Sequence, residues 1–409
     1  MATTHTPCCR KRLSSIDFTP IHRDTFPMLK VAVQPEIFEW ACARAGTDAH
    51  RLDARFPHLA AWRQGTAQPT LRQLEDFARA TYAPIGYFFL PTPPEERLPI
   101  PDCRTLGNAH LSRPSPDLLD TLSICLQRQE WYRDHCRLLG EPPLSFVGSA
   151  RLEDDSVQLA ARIRATLGFD LEERHRLSTW SEALRRFIEL ADEAGILVMV
   201  NGVVGSNNRR KLDPAEFRGF ALTDTFAPLV FLNGADSKAA QMFTLAHELV
   251  HLWFGQSALT DIGTADTSSA DLEVACNRVA AEVLLPMEAL RREYLPNRPI
   301  PEETARLARL FKVSTLVVLR RIADAGGLTR VQFLAATEAE LERLSSLRRT
   351  SGGGDFYATT TARCGKRFAR AVVSSTWEGR ASFTEAARLL GFHKMNTLRE
   401  LGVSLGVLV

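Results

Sequence analysis

The chain has 409 residues, 45% hydrophobic and 24% charged, with 50 Lys and Arg against 48 Asp and Glu. That length suggests two or three domains with buried cores. A net charge of only +2 excludes a protein whose whole surface is basic, and no apolar run approaches the roughly 18 residues a membrane span needs. The first 30 residues lack the apolar segment of a secretory signal, so the expected location is cytoplasmic, with no membrane partner. The eight Cys (8, 9, 42, 103, 125, 136, 276 and 364) show no paired spacing and read as thiols, Cys276 as packing rather than ligand.

Residues 1–29 are polar, basic and patternless, which predicts a disordered tail. Residues 30–95 are expected to form a helix-turn-helix-like domain. Pro35 and Glu36 followed by Ile37, Trp40, Ala41 and Ala45 read as a helix stopped at Gly46. Leu59 and Trp62 before Gly65 mark a second, short helix. Thr70 to Gln73 fits a capping box for a third, with Leu71, Leu74, Phe77 and Ala78 as its apolar stripe. Arg51, Arg55, Arg63, Gln64, Gln68 and Arg72 are of the types that read base edges, so DNA is a candidate partner; they equally suit a solvated polar face.

Residues 96–174 read as a linker and helical region. The Pro-rich run over 91–103 is extended, and 115–140 and 151–167 are amphipathic helices. A catalytic unit is expected over 175–345. It opens with a helix over 180–194 and strands over 196–200, 218–222 and 229–233.

Asp236 and Ser237 then start, as caps, an apolar helix containing His247-Glu248-Leu249-Val250-His251. Two His at i and i+4 lie one turn apart on one face and can reach a single Zn²⁺. Glu248 adjoins the first of them, where its carboxylate can deprotonate a water at the metal. Two His and a Glu among Leu245, Ala246, Leu249, Val250, Leu252 and Trp253 are costly to bury unless something pairs them, and a metal would do so.

A catalytic zinc takes three protein ligands and leaves one position open. Residues 271–286 form another helical pattern, in which Glu273 is the natural third ligand and Glu282, on a different face, the weaker candidate. Asn277, one turn beyond Glu273, can accept a hydrogen bond from the far N–H of a ligating His. The strand Leu229-Val230-Phe231-Leu232-Asn233 just before the zinc helix is expected to be an edge strand that holds an extended substrate; a purely structural strand would look the same. The oxyanion donor stays open among Arg218, Tyr294 and a backbone N–H.

Residues 302–321 read as helix, tight turn, helix, a hairpin that packs or resembles a helix-turn-helix. Ser351 to Gly354 marks a hinge before a C-terminal helical domain over 355–409. That domain has helices over 362–378 and 383–390, the second capped by Ser382 or Thr384 and stopped by Gly391. Arg363, Lys366, Arg367 and Arg370 cluster where they could touch phosphates, although a solvated face is the plainer reading.

Several stretches resemble the ImmA/IrrE family of metallo-endopeptidases, in its longer form with an XRE-like N-terminal region. They are Glu216 to Phe220, Phe231 to Lys238, Phe243 to Trp253 and Glu273 to Pro286, in matching order and spacing, with Trp62 to Gly65, Pro69 to Leu71, Tyr87 to Leu90 and Pro99 to Asp102 further upstream. The resemblance spans about residues 30 to 409. It implies an α+β, predominantly helical fold: a zincin-like HExxH domain with a small sheet, preceded by the helix-turn-helix-like domain. It places the zinc ligands on His247, His251 and Glu273 and the catalytic carboxylate on Glu248. It further implies a protein substrate, a helix-turn-helix repressor or an antitoxin, cleaved in a stress, mobile-element or toxin–antitoxin response. The rival reading is a DNA- or partner-binding regulator or antitoxin component whose zinc site is structural or vestigial. A closed structural site has no use for a non-ligand carboxylate at Glu248.

Overall fold

The computed structural model describes residues 30–46, 49–96, 98, 100, 114–260, 270–346, 356–392 and 394–408. The tail expected over 1–29 and the hinge at 351–354 lie outside them, as does much of the Pro-rich run. The chain divides into two compact units, residues 1–95 and 96–409.

The first unit contains α1 (Pro35–Ala45), α2 (Ala49–Arg55), α3 (Leu59–Arg63), α4 (Leu71–Thr81) and a 3₁₀ turn over Ile85–Phe89. Gly46 ends α1 in the left-handed region, and the Thr70–Gln73 capping box starts α4. Its core is aromatic, with the Phe38 ring 5.6 Å from Trp62 and 5.5 Å from Phe77. α3, the short helix expected before Gly65, has five residues.

The second unit runs α5 (Pro116–Leu138), α6 (Ser156–Leu167), α7 (Leu171–Arg176), α8 (Trp180–Glu193), β1 (Leu197–Asn201), β2 (Val203–Val204), β3 (Asn207–Lys211), β4 (Gly219–Leu222), β5 (Leu229–Asn233), α9 (Lys238–Phe254), β6 (Ala258–Thr260) and α10 (Ala270–Leu284). It continues with α11 (Met287–Glu293), α12 (Ile300–Phe311), α13 (Thr315–Asp324), α14 (Arg330–Ser346), α15 (Phe356–Cys364), α16 (Lys366–Trp377), α17 (Phe383–Leu390) and α18 (Met395–Ser404). The fold is mostly helical with a small sheet, consistent with α+β.

The four-stranded sheet has the order β1-β5-β4-β6, and β2 and β3 form a separate hairpin. β1 and β5 are parallel, whereas β4 is antiparallel to both β5 and β6. Successive side chains in a strand point to opposite faces. Val198, Val230, Leu232 and Ala221 therefore enter one core with α6, α8, α9, α10, α12 and α13. Leu197, Met199, Leu229, Phe231 and Phe220 enter a second core with α5, α16, α17 and α18. A sheet covered on both faces reads as continuous apolar runs, as β5 does.

Among the described residues, those after 95 cluster as one compact unit, in which α5 and the C-terminal helices cover the far face of the sheet. The helix expected over 362–378 is broken at Gly365, where φ is 80° and an added Cβ would meet the Val198 carbonyl oxygen at 2.9 Å. In the 302–321 hairpin, Lys312 takes the left-handed turn position without a glycine, and Leu307, Phe311, Val318 and Ile322 join the first core.

Candidate metal centre

α9 carries the His pair, and its ends are well determined. Ser237 caps its start by accepting a hydrogen bond from the Ala240 N–H at 3.2 Å. Gly255 ends it at φ 70°, and the Cα of Gly148 lies 2.9 Å from where a Cβ would stand. The loop at Gly148 and Ala150 donates to the carbonyls of Leu252 and Trp253 at 3.0 and 2.9 Å, satisfying the last turn.

α10 packs along α9 and brings Glu273 to the histidines. His247 Nε2 lies 3.1 Å from Glu273 Oε2, His251 Nε2 lies 3.3 Å from Glu273 Oε1, and the two Nε2 atoms are 3.0 Å apart. Donors 2.0–2.1 Å from a tetrahedral zinc stand about 3.3 Å from one another, so this triangle has the size such an ion requires. These three side chains are the group of His, Cys, Asp or Glu among the described residues whose ligand atoms converge in this way. All are buried, with His247 at 1%, His251 at 0% and Glu273 at 5% exposure.

The far ring nitrogens explain why the near ones are free to bind a cation. Asn277 Oδ1 lies 3.1 Å from His247 Nδ1, and Cys276 Sγ lies 3.7 Å from His251 Nδ1. An amide oxygen only accepts, so the His247 proton sits on Nδ1 and its Nε2 presents a lone pair. With Cys276 sulfur accepting from His251, both Nε2 atoms and the carboxylate face one another as bases, an arrangement that a cation between them relieves.

Burial holds the His251 imidazole below its usual range, against the hydrogen bond that the protonated ring donates to the Glu273 carboxylate. Burial pushes the Glu273 carboxyl up, but the hydrogen bonds and charge that His247 and His251 supply when protonated outweigh it and hold the group well below the usual carboxylate range.

Glu248 is fully buried one residue past His247. β4 passes close beside it: a Cβ on Gly219 would lie 2.6 Å from Thr244 Cγ2, 2.8 Å from the Phe231 carbonyl oxygen and 3.3 Å from Glu248 Oε1. Glu282, the other carboxylate considered as a third ligand, serves the structure instead. It forms a buried pair with Arg321 and accepts from the Met287 N–H at 3.2 Å. Arg164, Arg174 and Arg321 donate to the carbonyls of Glu282, Leu284 and Leu285, closing the C-terminal end of α10.

The strand expected to lie at an edge of the sheet does not. Leu229, Val230, Phe231, Leu232 and Asn233 form β5, which is hydrogen-bonded to β1 on one side and β4 on the other and is wholly buried. A strand paired on both sides has no edge to offer. Sequence reasoning also missed Cys276 and Gly219. Cys276 was legible in principle, since it stands at i+3 from Glu273 and thus on the same helix face. Gly219 was not, because only the packing of β4 on α9 reveals the close approach. Arg218, one of the oxyanion donors considered, lies 3.8 Å from the Asp236 carboxylate.

Two histidines one turn apart, a carboxylate beside the first and a third donor from a packed helix make up the class of centre found in metal-dependent peptidases. Residues 191–323, from the end of α8 to α13, match the family model of the IrrE N-terminal-like domain, peptidase M78, which supports a metallopeptidase in general. Residues 364–403 match a model described as a domain of unknown function, DUF8813. No curated protein matches the chain. No helix among the described residues is long and apolar enough to cross a membrane.

Proposed function

We propose that the chain is a zinc-dependent endopeptidase that cleaves a regulatory protein. The observation that carries this reading is the convergence of three buried bases, His247, His251 and Glu273, beside a buried Glu248 that is not one of them. His247, His251 and Glu273 would hold the metal. When bound, zinc supplies Lewis acidity toward a substrate carbonyl and lowers the pKa of water.

Glu248 is the general base. Its carboxylate takes the proton of the attacking water and returns it to the departing amine, which conserves protons over the cycle. Burial keeps competing water away from that exchange. Asn277 and Cys276 hold the two imidazoles in the Nδ1–H tautomer throughout.

An extended substrate backbone needs an open strand edge. The outer strands of the sheet are β1 and β6. The turn at Gly365 lies against β1, so β6 is the candidate. Its Thr260 is paired opposite Gly219, the residue beside Glu248. The substrate we propose is a helix-turn-helix repressor or an antitoxin, a step that rests on the resemblance to the ImmA/IrrE family rather than on geometry.

The test is metal content and hydrolysis measured on the same samples. Wild type and Glu248→Gln should each hold one zinc per chain and His247→Ala should not. Only wild type should cut a helix-turn-helix repressor or antitoxin offered as substrate. Cleavage retained by Glu248→Gln removes Glu248 from the mechanism. Zinc bound with no repressor or antitoxin cut would favour a regulator with a structural site.

A further inference from the structure

The chain carries a net charge of +2, yet residues 356–408 contain eight Lys and Arg against three Glu, and the strand Asn207–Lys211 adds three cations and no acid. The described structure brings these two segments together. Arg363 donates to Asn208 Oδ1 at 3.2 Å, and the Ser206 side chain lies 3.9 Å from where a Cβ on Gly391 would stand. The β2–β3 hairpin is thus a neighbour of the turn between α17 and α18.

α16, α17 and α18 form a three-helix set on the sheet, burying Phe368, Leu389, Leu390, Leu398 and Leu401 in one core. Ser382 caps α17, Gly391 stops it at φ 78°, and α18 begins four residues later. A helix, a short Gly-containing turn and a second helix packed on a third is the helix-turn-helix arrangement. In such units the first turns of the second helix meet base edges.

Those turns of α18 expose Lys394, Asn396 and Arg399, while Leu398 and Leu401 face inward. Asn pairs with adenine and Arg with guanine in the major groove, and Glu400 matches the amino group of cytosine. Arg388, Arg209 and Lys211 are also exposed. Arg210 is engaged by Asp117 and Asp120, and Arg367 by Tyr132 and Asp192, so neither belongs to this face.

We propose that α17, α18 and the β2–β3 hairpin form a binding face for double-stranded DNA, with α18 in the major groove and the hairpin against the adjoining phosphates. This assigns a role to the segment matched as a domain of unknown function and is independent of the peptidase reading.

The test uses the full-length protein and a fluorescent 30-base-pair duplex of mixed sequence, followed by anisotropy from about 50 to 200 mM salt. Wild type should bind, with affinity falling steeply as salt rises. Lys394→Ala with Arg399→Ala should weaken binding tenfold or more at the lowest salt, and Arg209→Ala with Lys211→Ala should flatten the salt slope by about one for each phosphate no longer neutralised. All four side chains are exposed, and thermal unfolding of each variant should match wild type. The proposal is overturned by no binding by wild type, by binding unchanged in both double variants, or by single-stranded RNA competing as well as the duplex. Loss of binding in Arg51→Ala with Arg55→Ala, but not in the α18 variant, would place DNA on the N-terminal unit and overturn it equally.

Discussion

Asn277 Oδ1 stands 3.1 Å from His247 Nδ1, and this one hydrogen bond decides which ring nitrogen turns toward Glu273. Cys276, the preceding residue of α10, does the same for His251 with a sulfur at 3.7 Å. One helix therefore supplies both a donor and the two supports for the donors of another. Outer partners of this kind set the basicity and orientation of metal-binding histidines. Asn277→Ala should weaken zinc binding by about 10- to 100-fold in a chelator competition. Cys276→Ala should do less, because a thiol is a weak acceptor. Unchanged affinity in Asn277→Ala would mean that packing alone orients His247.

Glu273 and Glu282 lie on one helix and have opposite tasks, so their alanine variants should separate cleanly. Glu273→Ala should lose the metal. Glu282→Ala should keep it but leave Arg321 buried beside an empty place, at a cost of about 3–5 kcal/mol read as a shift in the urea midpoint. Metal loss in Glu282→Ala, with Glu273→Ala unaffected, would reverse the assignment.

Gly219 is where β4 comes closest to Glu248. Gly219→Ala puts a methyl group against Thr244 and the Phe231 carbonyl, neither of which can swing away as the end of a long side chain would. The expected outcome is a loss of about 1–3 kcal/mol in unfolding free energy, with hydrolysis impaired and zinc content intact. Full activity at wild-type stability would show that the strand can retreat from α9.

Asp192 makes the fold sensitive to pH. Burial raises its carboxyl to about 6, and the Arg367 backbone N–H and charge only partly oppose this. The folded protein then binds this proton more tightly than the unfolded chain does. The stability it contributes is full below about pH 4 and is lost as pH rises toward 6. Asp192→Asn should flatten the denaturation midpoint between pH 4 and 6 and raise it at pH 7. An unchanged pH profile would mean that the folded and unfolded chains hold this proton alike.

Local sequence carried much of this molecule. The Thr70–Gln73 capping box, the Ser237 cap of α9, the Ser382 cap and Gly391 stop of α17, and the apolar runs of β1, β4 and β5 all form as their residues indicate. Caps and periodicity act over a few residues, so a linear reading contains them. The i, i+4 spacing of His247 and His251 is local in the same sense.

Tertiary structure decided what local spacing left open. Glu273 rather than Glu282 joins the histidines because Arg321 claims Glu282. β5 is interior rather than an edge because β1 returns beside it in parallel, a pairing between residues far apart in the chain. The helices after residue 356 belong to the same unit as the candidate metal centre because the sheet has a second apolar face to bury. Each of these outcomes depends on which surfaces meet, and that is a property of packing between distant segments, which no window of the sequence contains.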